Sequence, residues 1–174
     1  TLSSQTTPTG FKEGKDYTVL STVMPTRDPN KIEVIEFFWY GCPHCFSLEP
    51  RLEAWIAKLP SNVDFWRSPV IWGPVKEVHA QVYYTAEALG VLDKAHAAFF
   101  EAVQAGQNTK QDNVYTTPAE AEAFFKTQGI TKDKFDQTFS SFMVMSKIKL
   151  ADARGRSYAI QGVPTLIVNG KYAV

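Results

Sequence analysis

The clearest pattern along the chain is an almost unbroken β-branched and aromatic run, Ile32, Val34, Ile35, Phe37, Phe38 and Trp39. Such a run predicts a central strand covered on both faces. Beyond Gly41 the period changes. After Cys42-Pro43-His44-Cys45 the apolar positions Leu48, Leu52, Trp55, Ile56 and Leu59 recur at intervals of three and four, which predicts an amphipathic helix. Pro43 suits the first helical position, where a missing N–H has no intrahelical partner, and this sets Cys42 at the N-cap. Pro50 lies inside the same helix and is expected to kink it, because its nitrogen cannot donate to the carbonyl of Phe46. Residues 17–20 read as a short strand, 25–31 as a turn-rich connector and 63–66 as a second short strand.

From about residue 68 to 158 the two-residue period disappears and helical patterns follow one another. Val78, Val82, Ala86 and Leu89 lead to a stop at Gly90, and Ala95, Phe99, Phe100 and Val103 to a stop at Gly106. Thr117-Pro118-Ala119-Glu120 has the spacing of a capping box with proline at N1, opening a helix that buries Phe124 and Phe125 and ends near Gly129. Phe135, Phe139 and Phe142 continue the series, and a last helix is expected over 142–157. Residues 165–168 are β-branched, Asn169-Gly170 is a type I′ hairpin signal, and 171–174 begin the partner strand. A final strand needs cover for its other face, so a C-terminal helix is expected beyond Val174. The order β, β, helix, β, helical block, β-hairpin predicts an α/β fold. A sheet domain of residues 1–67 and 146–174 is interrupted by an all-helical insertion, 68–145.

Composition narrows the function classes. At 44% hydrophobic, 174 residues suffice for an ordered core. Lys+Arg and Asp+Glu both number 18, so no global field would recruit nucleic acid or anionic lipid, and binding must be local. Residues 1–10 are polar, with neither a basic nor an apolar leader region, and no stretch is long and apolar enough to span a bilayer, as expected of a soluble, already trimmed form.

The chain has only two cysteines, and chance would place two three apart in about 1% of arrangements. Thiol-disulfide exchange needs an attacking thiolate and a second thiol close by to resolve the mixed disulfide. A helical Cys-x-x-Cys supplies both on one face. Cys42, at the N-cap and near the surface, is read as the nucleophile. Cys45, one turn in and partly buried, is read as the resolver. Unpaired N–H groups and the helix dipole favour the charged sulfur of Cys42, with His44 adding a donor. Stabilising the dithiol makes the disulfide a stronger oxidant, so the pair leans toward disulfide donation with no dissociable cofactor. The alternative, a zinc site, lacks ligands, since beyond the two cysteines there are three histidines. His79 and His96 are read as ordinary core or surface residues, and no metal is expected.

Two further features stand out. In Gly162-Val163-Pro164-Thr165 a proline precedes a predicted strand. The plain reading is a trans entry proline, while a cis peptide would set the Val163 backbone beside the disulfide, free to pair with an extended substrate. Glu36 is the one carboxylate flanked by Ile35 and Phe37. It either reaches solvent at the sheet's margin or is a buried proton acceptor beneath Cys45, paired with Arg67. Phe99, Phe100, Phe124, Phe125, Phe135 and Phe139 of the helices are read as core, with Trp39 and Trp72 as an apolar rim around the cysteines.

Together these residues resemble the DsbA family of bacterial thiol-disulfide oxidases. The resemblance rests on Glu36-Phe37-Phe38 before Cys42-Pro43-His44-Cys45, on Ala88-Leu89-Gly90-Val91, and on Gly162-Val163-Pro164 followed by Val168-Asn169-Gly170-Lys171-Tyr172. The Pro43-His44 dipeptide is its specific element. That family is itself a standing illustration of a depressed cysteine pKa and an oxidising disulfide. The resemblance implies a thioredoxin fold with a helical insertion and residence in the periplasm, reached after signal-peptide removal; a monomer is expected, though nothing in the sequence fixes the oligomeric state. It also implies oxidation of reduced, newly exported chains and re-oxidation by a quinone-linked DsbB-type membrane protein. The family's cis-proline, preceding valine and buried acid map onto Pro164, Val163 and Glu36. Arg67 stands where the family often has lysine, and the family's final helix has no counterpart here. A reductase or isomerase of the same fold and a non-catalytic metal-binding or adaptor protein are the alternatives.

Overall fold

The computed structural model describes residues 10–108 and 114–174, and the polar stretch 1–9 lies outside them. Among the described residues a five-stranded sheet has the order β1 (Thr18–Val19), β5 (Tyr172–Ala173), β4 (Thr165–Val168), β2 (Ile32–Phe38), β3 (Val63–Pro69). The apolar run of β2 is buried from Glu33 to Phe38 because it pairs on both edges, parallel with β3 and antiparallel with β4. α1 (Pro43–Ile56) makes the crossover between the parallel pair. Asn169 and Gly170 both have positive φ, 52° and 61°, as the β4–β5 hairpin turn requires.

The helical block comprises α2 (Pro74–Ala88), α3 (Leu92–Asn108), α4 (Pro118–Thr127) and α5 (Lys132–Thr138). α6 (Phe142–Ser157) then returns the chain to the sheet. The Thr117 hydroxyl accepts the N–H of Glu120, as the capping box predicts. Some expectations need correcting. β3 extends to Pro69, because all seven of its residues find register partners in β2. α3 runs past Gly106, which stays helical and is not a stop. Phe142 is 88% exposed, since it opens α6 directly after the Ser141 cap, outside the packed face of Val144, Ile148 and Ala151. α1 runs through Pro50, and its buried stripe is Cys45, Glu49 and Leu52, with Trp55 on the exposed side against Phe65.

The two faces of β2 lead to two cores. Ile35 and Phe37 pack with Val70, Tyr158 and Ile167. On the opposite face Phe38, followed by Tyr40 and the two cysteines, joins a larger cluster with α2, α3, α4, α5 and α6. The cysteine site therefore lies where the sheet meets the helical block.

Candidate active site

Cys42 caps α1 in an extended conformation (φ −80°, ψ 115°) with Pro43 in the first turn. Its sulfur accepts the backbone N–H of Cys45 at 3.2 Å, a bond that strengthens when the sulfur carries charge. On its other side Sγ donates to the carbonyl of Val163 at 3.5 Å, and the Val163–Pro164 peptide is cis. Both cysteines are thiols. The structure encloses them more than the spacing suggests: Cys42 is 6% exposed and Cys45 fully buried, because α3 and the Val163 loop close over the helix start. Pro43 and His44 remain exposed. Burial pushes the Cys45 thiol well up, Cys42 hydrogen-bonding adds to the shift, and Glu36 contributes through its charge.

Glu36 is fully buried, so the solvent-exposed reading is excluded. Its Oε1 accepts from Nε of Arg67 at 3.1 Å, while Oε2 has no hydrogen-bond partner. Burial pushes its carboxyl up to about 8 against the opposing pull of Arg67. Arg67 therefore pairs with the acid, and the guanidinium fork reaches further. Nη2 donates to both oxygens of Glu49, at 3.4 and 3.3 Å, and to Glu53 at 2.8 Å. A lysine has no such fork.

Sequence reading missed Glu49, Glu53 and their neighbours. Glu49 stands one turn beyond Cys45 on the buried stripe, a position that spacing from Cys45 would have found. The Tyr40 phenol, held protonated by burial, donates to Nδ1 of His96 at 2.8 Å. That places the ring proton on Nε2, aimed at Glu49 Oε1 3.6 Å away. Burial alone would raise the Glu49 carboxyl, yet His96 and Arg67 outweigh it and hold it low. Burial also pushes His96 down, which keeps its ring neutral and leaves Arg67 as the cation.

The expected apolar rim is half realised. Trp72 is 42% exposed, but Trp39 is half-buried, its indole N–H donating to Nδ1 of His79 at 2.9 Å. The His79 Nε2–H donates to the carbonyl of Val114. Lys76 lies over the Trp39 ring, 3.9 Å from its centroid. The ring covers Gly41 so closely that any side chain there would overlap it, which explains a glycine directly before Cys42. Among the described residues no group of three or more His, Cys, Asp or Glu is placed to hold a metal ion. His79 and His96 are committed to Trp39 and Tyr40.

A Cys-x-x-Cys at the start of the helix after a central strand, faced by a cis-proline loop, defines a thiol-disulfide oxidoreductase of the thioredoxin fold. This chain belongs to the DsbA family. The model of the DSBA-like thioredoxin domain matches residues 69–174. The thiol:disulfide interchange protein DsbA of Pseudomonas syringae pv. tomato is 45% identical over 162 residues, 93% of this chain and 73% of that protein. The Azotobacter vinelandii protein of the same name is 41% identical over 99% of this chain and 78% of its own length. The crystal structure of Pseudomonas aeruginosa DsbA superposes with a TM-score of 0.84 at 40% identity, covering 94% of this chain and 82% of that one. The protein is a disulfide oxidoreductase whose redox pair is Cys42 and Cys45.

Proposed function

We propose that the protein, in its oxidised form, hands the Cys42–Cys45 disulfide to reduced, newly exported polypeptides in the bacterial periplasm, and that a quinone-linked DsbB-type membrane oxidase restores it. The observation that carries this reading is the asymmetry of the pair. Cys45 is sealed and its thiol pushed well up, whereas Cys42 carries the N–H donor and borders the Val163 carbonyl.

A client thiolate attacks Sγ of Cys42, the Cys42–Cys45 bond breaks, and Cys45 leaves with the electron pair. Sulfur so disfavoured as an anion needs a proton on departure, and the carboxyl of Glu36, poised near 8, donates one from its free oxygen. The client's second thiolate then attacks the client sulfur of the mixed disulfide. Cys42 departs as thiolate, the client gains a disulfide, and the enzyme has accepted two electrons. This corrects the role expected for Cys45. Attack by Cys45 on the mixed disulfide would return the client reduced, so in donation Cys45 is the leaving group, and Glu36 is proton donor here and acceptor during re-oxidation. Pro43 sets the cap, His44 offers an exposed donor beside it, and Val163, fixed by Pro164, pairs with the client backbone. The cycle requires no dissociable cofactor.

Equilibration with glutathione buffers tests the direction. The pair should be largely reduced even in buffers rich in glutathione disulfide. A pair that stays oxidised under reducing buffers would mark a reductase. Cys42→Ser and Cys45→Ser should each abolish donation, since neither can form the disulfide, and the lone Cys42 thiolate of Cys45→Ser should instead form stable mixed disulfides with partners that already carry a disulfide.

A further inference from the structure

We infer that Glu49 is a positioning residue for the exchange reaction: clamped between Arg67 and His96, it takes the guanidinium charge and so leaves the free oxygen of Glu36 to carry the proton for Cys45. The inference rests on the proton-transfer reading of Glu36 given above. Its basis is a count of groups in one buried cluster. From β3 comes a single cation, Arg67. Three carboxylates compete for it: Glu36 of β2, and Glu49 and Glu53 of α1. Cys45 of α1, Tyr83 of α2 and Tyr40 after β2, neutral while burial keeps them protonated, and His96 of α3, neutral because burial disfavours its second ring proton, are the other titratable neighbours.

The geometry decides which acid ionises. Glu53 is 58% exposed along its side chain, so water supports its charge. Of the two enclosed acids, Glu49 receives Nη2 across both oxygens and faces the Nε2–H of His96. Glu36 receives one bond and keeps one oxygen bare in a site without water access. Two enclosed anions cannot share one cation without leaving charge uncompensated. The better-solvated Glu49 therefore holds the charge and Glu36 the proton. The opposite directions of the two carboxyls, Glu36 up and Glu49 down, agree with that division. Removing the charge of Glu49 frees Arg67 for Glu36, which then ionises. The departing sulfur of Cys45 would lose its donor and gain an anionic neighbour.

The test is Glu49→Gln in the full chain, with Glu49→Asp as the charge-preserving control and circular dichroism to confirm that each is folded. The carboxyl carbon of Glu36, labelled with carbon-13, is titrated by NMR in the reduced protein. In Glu49→Gln its midpoint should fall by at least one pH unit, a tenfold rise in the ratio of ionised to protonated form, and client oxidation at pH 7 should slow several-fold with its optimum displaced to lower pH. Glu49→Asp should retain the parent midpoint within a few tenths of a unit. An unmoved midpoint in Glu49→Gln, or an equal fall in Glu49→Asp, overturns the inference. Glu36→Gln separates the two levels: if its pH–rate profile matches the parent's, the proton-transfer reading fails, whatever Glu49 does to the titration.

Discussion

Glu36 shows how a single carboxyl ties the sheet to the chemistry. An unfolded glutamate loses its proton near its ordinary value of 4.5, whereas in the fold it keeps it to about 8. Between those limits the native state holds a proton that the unfolded chain has released. Stability is therefore fully present below the lower value and erodes as pH rises toward the higher one, by about 1.4 kcal/mol per pH unit over that span. Glu36→Gln removes the titration without much change in volume. Urea midpoints of the reduced protein from pH 5 to 8 should show the variant gaining on the parent as pH increases, and a constant gap would contradict the assignment. The redox pair was legible in the sequence because its meaning lies in local spacing, whereas Pro164 taken alone reads as a trans entry proline and its cis peptide was expected only through the family resemblance. The pairing of Glu36 with Arg67 was one of two open readings, but Glu49 was not foreseen, since it is separated from Arg67 by 18 positions, nor was the contact of Tyr40 with His96 across 56. Only the assembled fold brings such residues into register.

Local signals hold at the Thr117 cap and the hairpin turn, whereas the glycine stop expected at Gly106 does not occur. α6 begins and ends where its periodicity says, and the hairpin turn sits at Asn169-Gly170. α1 was misread in one respect. Its apolar positions predicted a stripe through Leu48 and Trp55, but the stripe that packs contains a carboxylate, Glu49, which a hydrophobic pattern cannot register. α4 offers a test of how far local structure and function separate. Thr117 Oγ1 accepts the Glu120 N–H and hydrogen-bonds the Glu120 side chain, which also accepts from the N–H of Tyr115. Thr117→Ala removes the cap and should cost about 1 kcal/mol, lowering Tm by ~2–4 °C in a protein of this size. Because α4 supplies no residue to the cysteine site, the client-oxidation rate measured below that temperature should equal the parent's. A slower rate would show that the helical block positions the pair.

The continuous cluster that runs from Phe38 and Tyr40 through both cysteines to Phe99, Phe100, Phe125 and Ile148 ties the helical block to β2, whose other face is buried in the second core with Tyr158 and Ile167. Helical signal and tryptophan fluorescence should therefore be lost together, since Trp39, Trp55 and Trp66 lie in or beside β2, α1 and β3 while most helices lie beyond them. That cooperativity links folding to the redox state. In the unfolded chain the two sulfurs feel only water, and their disulfide has an ordinary potential. In the fold the reduced pair is stabilised by the Cys45 N–H at the Cys42 sulfur and by an acid able to keep Cys45 protonated. Around the closed cycle of folding and oxidation, whatever makes the folded disulfide a stronger oxidant must appear as greater stability of the reduced fold. Denaturation of the two redox forms should show single coincident transitions, with the reduced protein melting higher. The stability difference should match the potential difference between folded and unfolded pairs, at about 1.4 kcal/mol for each 30 mV. An oxidised form as stable as the reduced one would mean that the fold does not drive disulfide donation.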